Sequence, residues 1–113
     1  MPDRPRYMIS VAADLVGMHP QTLRIYENKG LVLPKRTPGG TRLYSESDLE
    51  RLRLIKYLVD ELGINLAGVQ RLLSIAEVVQ RIRPLMDENA LNTGSGRRQL
   101  LAEMRRLNEM IGL

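Results

Sequence analysis

The sequence predicts a mainly α-helical protein: a winged helix-turn-helix DNA-binding domain with a small β-hairpin wing, followed by C-terminal dimerisation helices. Three observations carry that expectation. Residues 9–44, ISVAADLVGMHPQTLRIYENKGLVLPKRTPGGTRLY, read as two short helices joined by a tight turn and followed by a small basic hairpin. Such an arrangement places one helix in a DNA groove. The charge is segregated in the same direction: residues 1–44 hold seven Lys and Arg against three acids, whereas residues 45–113 balance ten against ten. The whole net charge of +4 therefore falls on the candidate DNA-binding part. Later in the chain, Ile75, Val79, Ile82 and Met86 are spaced 4, 3, 4, and Leu100, Met104, Leu107 and Ile111 repeat that spacing. Each set is a two-heptad seam suited to helix pairing.

The elements follow in order. Residues 1–6, MPDRPR, carry two prolines and no apolar pattern and are expected to fray as a flexible arm. Residues 7–9 suit a short strand, and Ser10 is a good N-cap for a first helix ending at Gly17. His19 and Pro20 open a second helix, since Pro is favoured at the first helical position, and Gly30 stops it. Residues 31–44 form a hairpin: Pro34 confines its first strand to an edge, Pro38, Gly39 and Gly40 make the turn, and residues 41–44 return. Ser45 with Asp48 resembles a capping box, opening a third helix with an apolar stripe of Leu49, Leu52, Ile55, Val59 and Leu62 that ends at Gly63. Asn65 caps a fourth helix, with Leu66, Val69, Leu72, Leu73 and Ala76 on one side. The stretch DENALNTGSG breaks the two seams apart, and Pro84 is a second interruption, costing about 3 kcal/mol in a helix interior. The expected domains are thus 1–6, 7–73 and 74–113, the last with a turn near 87–96.

Composition narrows the function. With no Phe or Trp and four Tyr, the core is small and built from Leu, Ile, Val and Met. A chain of 113 residues leaves much surface uncovered, which favours burial through a second subunit. The absence of cysteine excludes disulfides, thiolate zinc sites and iron–sulfur clusters. No apolar run approaches about 20 residues and no signal-peptide pattern opens the chain, so a cytoplasmic, nucleoid-associated location is expected and a membrane role is not. His19, the only histidine, reads as a cap or a solvent-exposed residue in preference to a metal ligand. Asp60-Glu61 and Asp87-Glu88 are sequence neighbours that do not face one another on a helix, and Gly39-Gly40 lacks the Lys and following helix of a phosphate-gripping loop. No enzyme, cofactor, metal or small-molecule substrate is expected.

On the second helix, Leu23 and Tyr26 pack inward with Glu27 at their edge, leaving Gln21, Arg24, Ile25 and Asn28 outward. Gln bonds adenine edges, Arg bonds guanine or phosphate, and an aliphatic side chain touches a thymine methyl. A merely solvated polar face fits the same pattern. In the hairpin, Lys35, Arg36 and Arg42 flank a slim Gly-Gly tip that can approach a phosphate backbone closely, with an ordinary surface hairpin as the alternative. Thr22 and Thr41 join the candidate DNA-binding set. The start of the fourth helix, residues 65–68, is a further candidate phosphate anchor. For the two seams, packing within the chain is the alternative to self-association.

The segments TLRIYENKGLV (22–32), RTPGGTRLYSESDLERL (36–52) and GINLAGVQRLL (63–73) resemble the DNA-binding domain of the MerR family of bacterial regulators, over roughly residues 7–73. Within it, ISVAA, HPQTLR, RTPGG and NLAGV look most like the HspR group of heat-shock repressors. The resemblance implies a winged-helix domain followed by a dimerisation helix, and a two-fold homodimer on an inverted-repeat operator in double-stranded DNA. By position, Arg24 and Tyr26 match the family's DNA-contacting Arg and Tyr of the second helix, and Arg42 and Tyr44 match those of the wing. HspR-like proteins use the DnaK chaperone as co-repressor, so a repressor of chaperone genes is the leading expectation. Pro84 and the glycines at 94–96 depart from the family's uninterrupted dimer helix, leaving Ile75 to Met86 as the main seam. Two other readings stand beside it: a MerR-type regulator answering another signal, such as nitrogen status through glutamine synthetase, or an architectural, excisionase-like DNA-binding protein.

Overall fold

The computed structural model describes residues 2–113, and the chain divides after Asn65 into two compact units. The expected boundary after Leu73 falls inside a continuous helix, whose hydrogen-bond ladder leaves no seam there.

The first unit contains β1 (Tyr7–Met8), α1 (Ile9–Val16), α2 (Pro20–Asn28), β2 (Lys35–Arg36), β3 (Arg42–Tyr44), α3 (Glu46–Lys56) and a widened π-type turn over Tyr57–Glu61. α1 is the hub: it packs on α2, α3, β1 and β3, burying Ala12, Ala13 and Val16. It begins at Ile9 directly from β1, with no side-chain cap, so Ser10 is not the N-cap that was expected. Its other end follows expectation. Gly17 adopts φ 69°, a left-handed conformation that costs Gly little. Lys56 Nζ lies 3.1 Å from the Gly17 carbonyl oxygen, placing a cation at the negative end of the helix dipole.

The hairpin is part of a three-stranded antiparallel sheet in the order β1-β3-β2. Tyr7 pairs with Tyr44 and Met8 with Leu43 on one side of β3, and Lys35 with Leu43 and Arg36 with Arg42 on the other. β2 is an edge, as Pro34 requires. The N-terminal arm differs from its expectation. Ser47 donates to the Pro2 carbonyl at 2.9 Å through its N–H and to Asp3 Oδ1 at 2.8 Å through its hydroxyl, so residues 2–6 are tied to the start of α3. The free N–H groups and positive end of that helix attract the arm's carbonyl and carboxylate.

The capping box at α3 forms as expected: Ser45 Oγ accepts from the Asp48 N–H at 3.1 Å and Asp48 Oδ2 from the Ser45 N–H at 2.9 Å. Leu49, Leu52 and Ile55 are buried, but then Leu58 is the buried residue in place of Val59, and Leu62 is 53% exposed. The widened turn resets the angular position of every residue after Lys56, which a uniform 3.6-residue period does not anticipate.

The second unit contains α4 (Leu66–Ile82), a 3₁₀ turn (Arg83–Met86), the single turn α5 (Glu88–Leu91) and α6 (Gly94–Met110), with α4 and α6 packed on each other. Pro84 sits just past the end of α4, where its missing N–H is no cost. The break between the helices is shorter than expected: Gly94, Ser95 and Gly96 form the first turn of α6 instead of a loop. Thr93 caps that turn, its hydroxyl oxygen accepting from the Gly96 N–H at 2.8 Å. No helix among the described residues is long and apolar enough to cross a membrane.

Candidate nucleic-acid interface

α2 is held at both ends by its own sequence. His19 Nδ1 accepts from the Gln21 N–H at 3.0 Å, the capping role read from its position, and Pro20 follows at the first helical position. At the far end the Gly30 N–H reaches the Glu27 carbonyl at 2.9 Å and the Leu31 N–H the Tyr26 carbonyl at 2.9 Å, with Gly30 at φ 73°. Leu23 and Tyr26 face the core, whereas Gln21, Ile25 and Asn28 are exposed and Arg24 and Thr22 half-buried. Arg24 Nη1 donates to Gln21 Oε1 at 3.3 Å, so these two outward side chains form one polar group on the helix surface.

The wing is built around Thr37. Its N–H meets the Thr41 carbonyl at 2.9 Å, its carbonyl accepts from Gly40 at 2.8 Å, and its hydroxyl oxygen accepts from the Thr41 N–H at 3.1 Å. Lys35 and Thr41 are exposed on this hairpin. Arg36 and Arg42, directly opposite across β2 and β3, both turn to Glu27 of α2. Arg36 Nη2 is 2.9 Å from Glu27 Oε1, Arg42 Nε binds Glu27 Oε2, and Arg36 Nη1 also donates to the Gly40 carbonyl at 3.0 Å. The count of seven cations thus overstates the free positive charge, because two of them share a carboxylate. No spacing rule pointed to Glu27, whose partners lie 9 and 15 residues away.

Two candidate residues are core residues in the structure, Tyr26 on the inward face of α2 as its spacing predicts and Tyr44 at the end of β3. Tyr44 is fully enclosed, and Tyr26 keeps only 8% of its surface. With no Phe or Trp in the chain, these tyrosines supply the large aromatic bodies of the core. Tyr44, expected as a DNA contact, exposes no surface in this structure. Its hydroxyl has no hydrogen-bond partner among the described residues. Burial first, and the Glu27 charge second, push its pKa above the usual phenol value. Burial likewise raises that of Tyr26, while Tyr7 is pushed up by its hydrogen bond to Glu46.

The seam residues divide. Ile75, Ile82, Leu100 and Leu107 are half-buried within the second unit, where α4 and α6 pack on each other. Val79, Met104 and Ile111 are 41%, 48% and 51% exposed. Met86 lies past the end of α4, in the 3₁₀ turn, and is 65% exposed. Leu72 and Leu101 add to this apolar surface.

A family profile described as "MerR HTH family regulatory protein" matches residues 7–75. The "Putative heat shock protein HspR" of Streptomyces coelicolor is 49% identical over 81 residues, covering 72% of this chain and 54% of that protein. The "HTH-type transcriptional regulator GlnR" of Bacillus anthracis is 38% identical over 73 residues, 65% of this chain and 56% of that protein. The chain spans about half the length of these curated relatives. Among solved structures, that of "HiNmlR, a MerR family regulator lacking the sensor domain, bound to promoter DNA" superposes with a TM-score of 0.57 at 24% identity. It covers 95% of this chain and 79% of the other, a likeness of fold. The wing, the capped α2 and the profile match over 7–75 place the chain in the MerR family of DNA-binding helix-turn-helix transcriptional regulators, which are not enzymes.

Proposed function

We propose that the chain represses heat-shock and chaperone genes by binding an inverted-repeat operator as a homodimer, with the DnaK chaperone as co-repressor. The observation that carries the heat-shock assignment is the 49% identity to HspR. For the DNA mode, the support is the exposed row Gln21, Ile25 and Asn28 with Arg24 on α2, beside a wing presenting Lys35 and Thr41. The fold shared with a promoter-bound regulator points the same way. Two-fold self-association is supported by the apolar side chains left exposed on the second unit, Leu72, Val79, Met86, Leu101, Met104 and Ile111. Removing such surface from water contributes about 25 cal/mol per Å², which drives helix pairing.

The test is selection of bound sequences from random duplex DNA with the purified protein. An inverted repeat is the expected outcome, and recovery of no preferred sequence overturns the reading in favour of an architectural protein. On the selected site, Arg24→Ala weakens binding by about 1–3 kcal/mol if Arg24 reads a base. The likeness to GlnR favours a second reading, in which the same DNA-binding unit answers nitrogen status through glutamine synthetase. Adding purified DnaK or purified glutamine synthetase to the operator complex separates the two. Tightening by DnaK alone supports the heat-shock reading, and tightening by glutamine synthetase alone supports the other.

A further inference from the structure

The wing poses an electrostatic problem that the chain solves with one residue. Arg36 and Arg42 are directly opposed across β2 and β3, and like charges at such positions repel. Glu27 lies between them, one carboxylate oxygen to each, with only 14% of its side chain accessible. Arg36 and Arg42 keep 47% and 25% of theirs, so Arg36 is exposed, Arg42 is half-buried and the carboxylate is the most enclosed of the three. Glu27 belongs to α2, the helix carrying Gln21, Arg24, Ile25 and Asn28, so this contact joins the reading helix to the wing.

We propose that Glu27 is a positioning residue that sets sequence specificity: it holds the wing arginines at a fixed offset from α2. The inference rests on the DNA-binding reading above. Three consequences follow from the geometry. The guanidinium of Arg36, bonded to Glu27 and to the Gly40 carbonyl, is pinned to both the helix and the wing tip. A pinned cation meets a phosphate only in the register where α2 also meets its bases, which favours the operator over other duplexes. The carboxylate also offsets positive charge that otherwise strengthens binding to any phosphate backbone.

Glu27→Gln keeps the shape and removes the charge. The amide oxygen still accepts from one arginine, but its NH₂ now faces the other. The released arginines then reach phosphates in any register. The expected result is a fall of about tenfold or more in the ratio of operator to scrambled-duplex affinity, with scrambled binding strengthened. The salt dependence steepens by about one unit of log K per log salt for each arginine gained as a phosphate contact. Asp14→Asn, which adds the same charge at an exposed position on α1, leaves the ratio within about twofold. Glu27→Asp, which keeps the charge on a stem too short to span both arginines, releases one of them, lowers the ratio and steepens the salt slope by no more than about one unit, and serves if the Gln variant does not fold.

A ratio and slope unchanged in both Glu27 variants overturn the proposal. Equal loss on operator and scrambled DNA, as from general unfolding, also overturns it. If the wild-type protein itself fails to discriminate operator from scrambled duplex, the DNA-recognition reading falls, and this inference with it. Discrimination retained by wild type and by both variants removes the Glu27 inference alone.

Discussion

Gly96→Ala sets two effects of opposite sign against each other. In a helix interior, replacing Gly by Ala ordinarily stabilises by about 0.8–1 kcal/mol. At Gly96, an ideal Cβ stands 2.0 Å from the Ala90 carbonyl oxygen, 2.8 Å from its carbonyl carbon and 2.8 Å from Thr93 Oγ1. Even close C–H···O contacts keep carbon and oxygen about 3.3 Å apart, so the carbonyl must retreat by more than about 1 Å. That oxygen is part of the backbone, bonded by the Thr93 N–H at 3.2 Å and the Thr93 hydroxyl at 2.9 Å, and it cannot move alone. Its movement also dislodges Thr93 from its cap on the Gly96 N–H. Overpacking costs about 1–3 kcal/mol and a lost N-cap about 1 kcal/mol; less the propensity gain, the net destabilisation is about 1–3 kcal/mol. Gly94→Ala is the control, because its nearest neighbour is the flexible end of Arg98 at 3.1 Å, and its effect stays within about 0.5 kcal/mol. Urea unfolding followed by circular dichroism measures both, at matched protein concentration because self-association adds to apparent stability. A Gly96→Ala midpoint at or above wild type refutes the steric argument.

Three further outcomes follow from the same geometry. Tyr44→Phe removes a buried hydroxyl that has no partner among the described residues, relieving a desolvation cost of about 1–3 kcal/mol; it stabilises or is neutral, and leaves operator affinity unchanged in a shift assay. Because burial raises the Tyr44 pKa in the folded state, its contribution is full below the ordinary phenol value of 10.0 and is lost as pH rises through the folded value; the variant therefore unfolds less readily than wild type in alkali, measured by melting above about pH 10. Met104→Glu places a charge on the exposed apolar surface of α6 and shifts the sedimentation equilibrium towards monomer while the far-ultraviolet spectrum is preserved; an unchanged dimer fraction removes that surface from the interface.

Local rules served where the decisive partners lie within a few residues. His19 caps α2, Ser45 and Asp48 close the box at α3, Gly17 ends α1, and Leu23 and Tyr26 face inward, all from spacings of one to four positions. The same rules failed where the partner is remote. Residues 2–6 have no regular pattern, yet they are bound by Ser47, more than 40 positions away. Tyr44 alternates with Leu43 at the end of the returning strand, and nothing local says that its hydroxyl goes inward unpaired. Gly94 and Gly96 look like a loop by composition, but both lie in the first turn of α6, where close approach to the Ala90 carbonyl leaves no room for a Cβ at Gly96. The widened turn at Tyr57–Glu61 changed which leucine is buried without leaving a signal in the apolar period.

From residue order alone came the helices and wing of the first unit, the outward face of α2, the concentration of charge towards the N-terminus, and the absence of cysteine. These depend on propensity, capping and periodicity, which act over a turn or a strand. Three-dimensional packing settled the rest: β1 as the third strand of the sheet, the tyrosines as core, the short turn between α5 and α6, and above all the meeting of Glu27 with Arg36 and Arg42. Ion pairs carry no periodic signature, because any carboxylate can serve any cation that the backbone brings within about 4 Å. Composition counts charges, but only the folded backbone brings the carboxylate of α2 to the guanidinium groups of the wing.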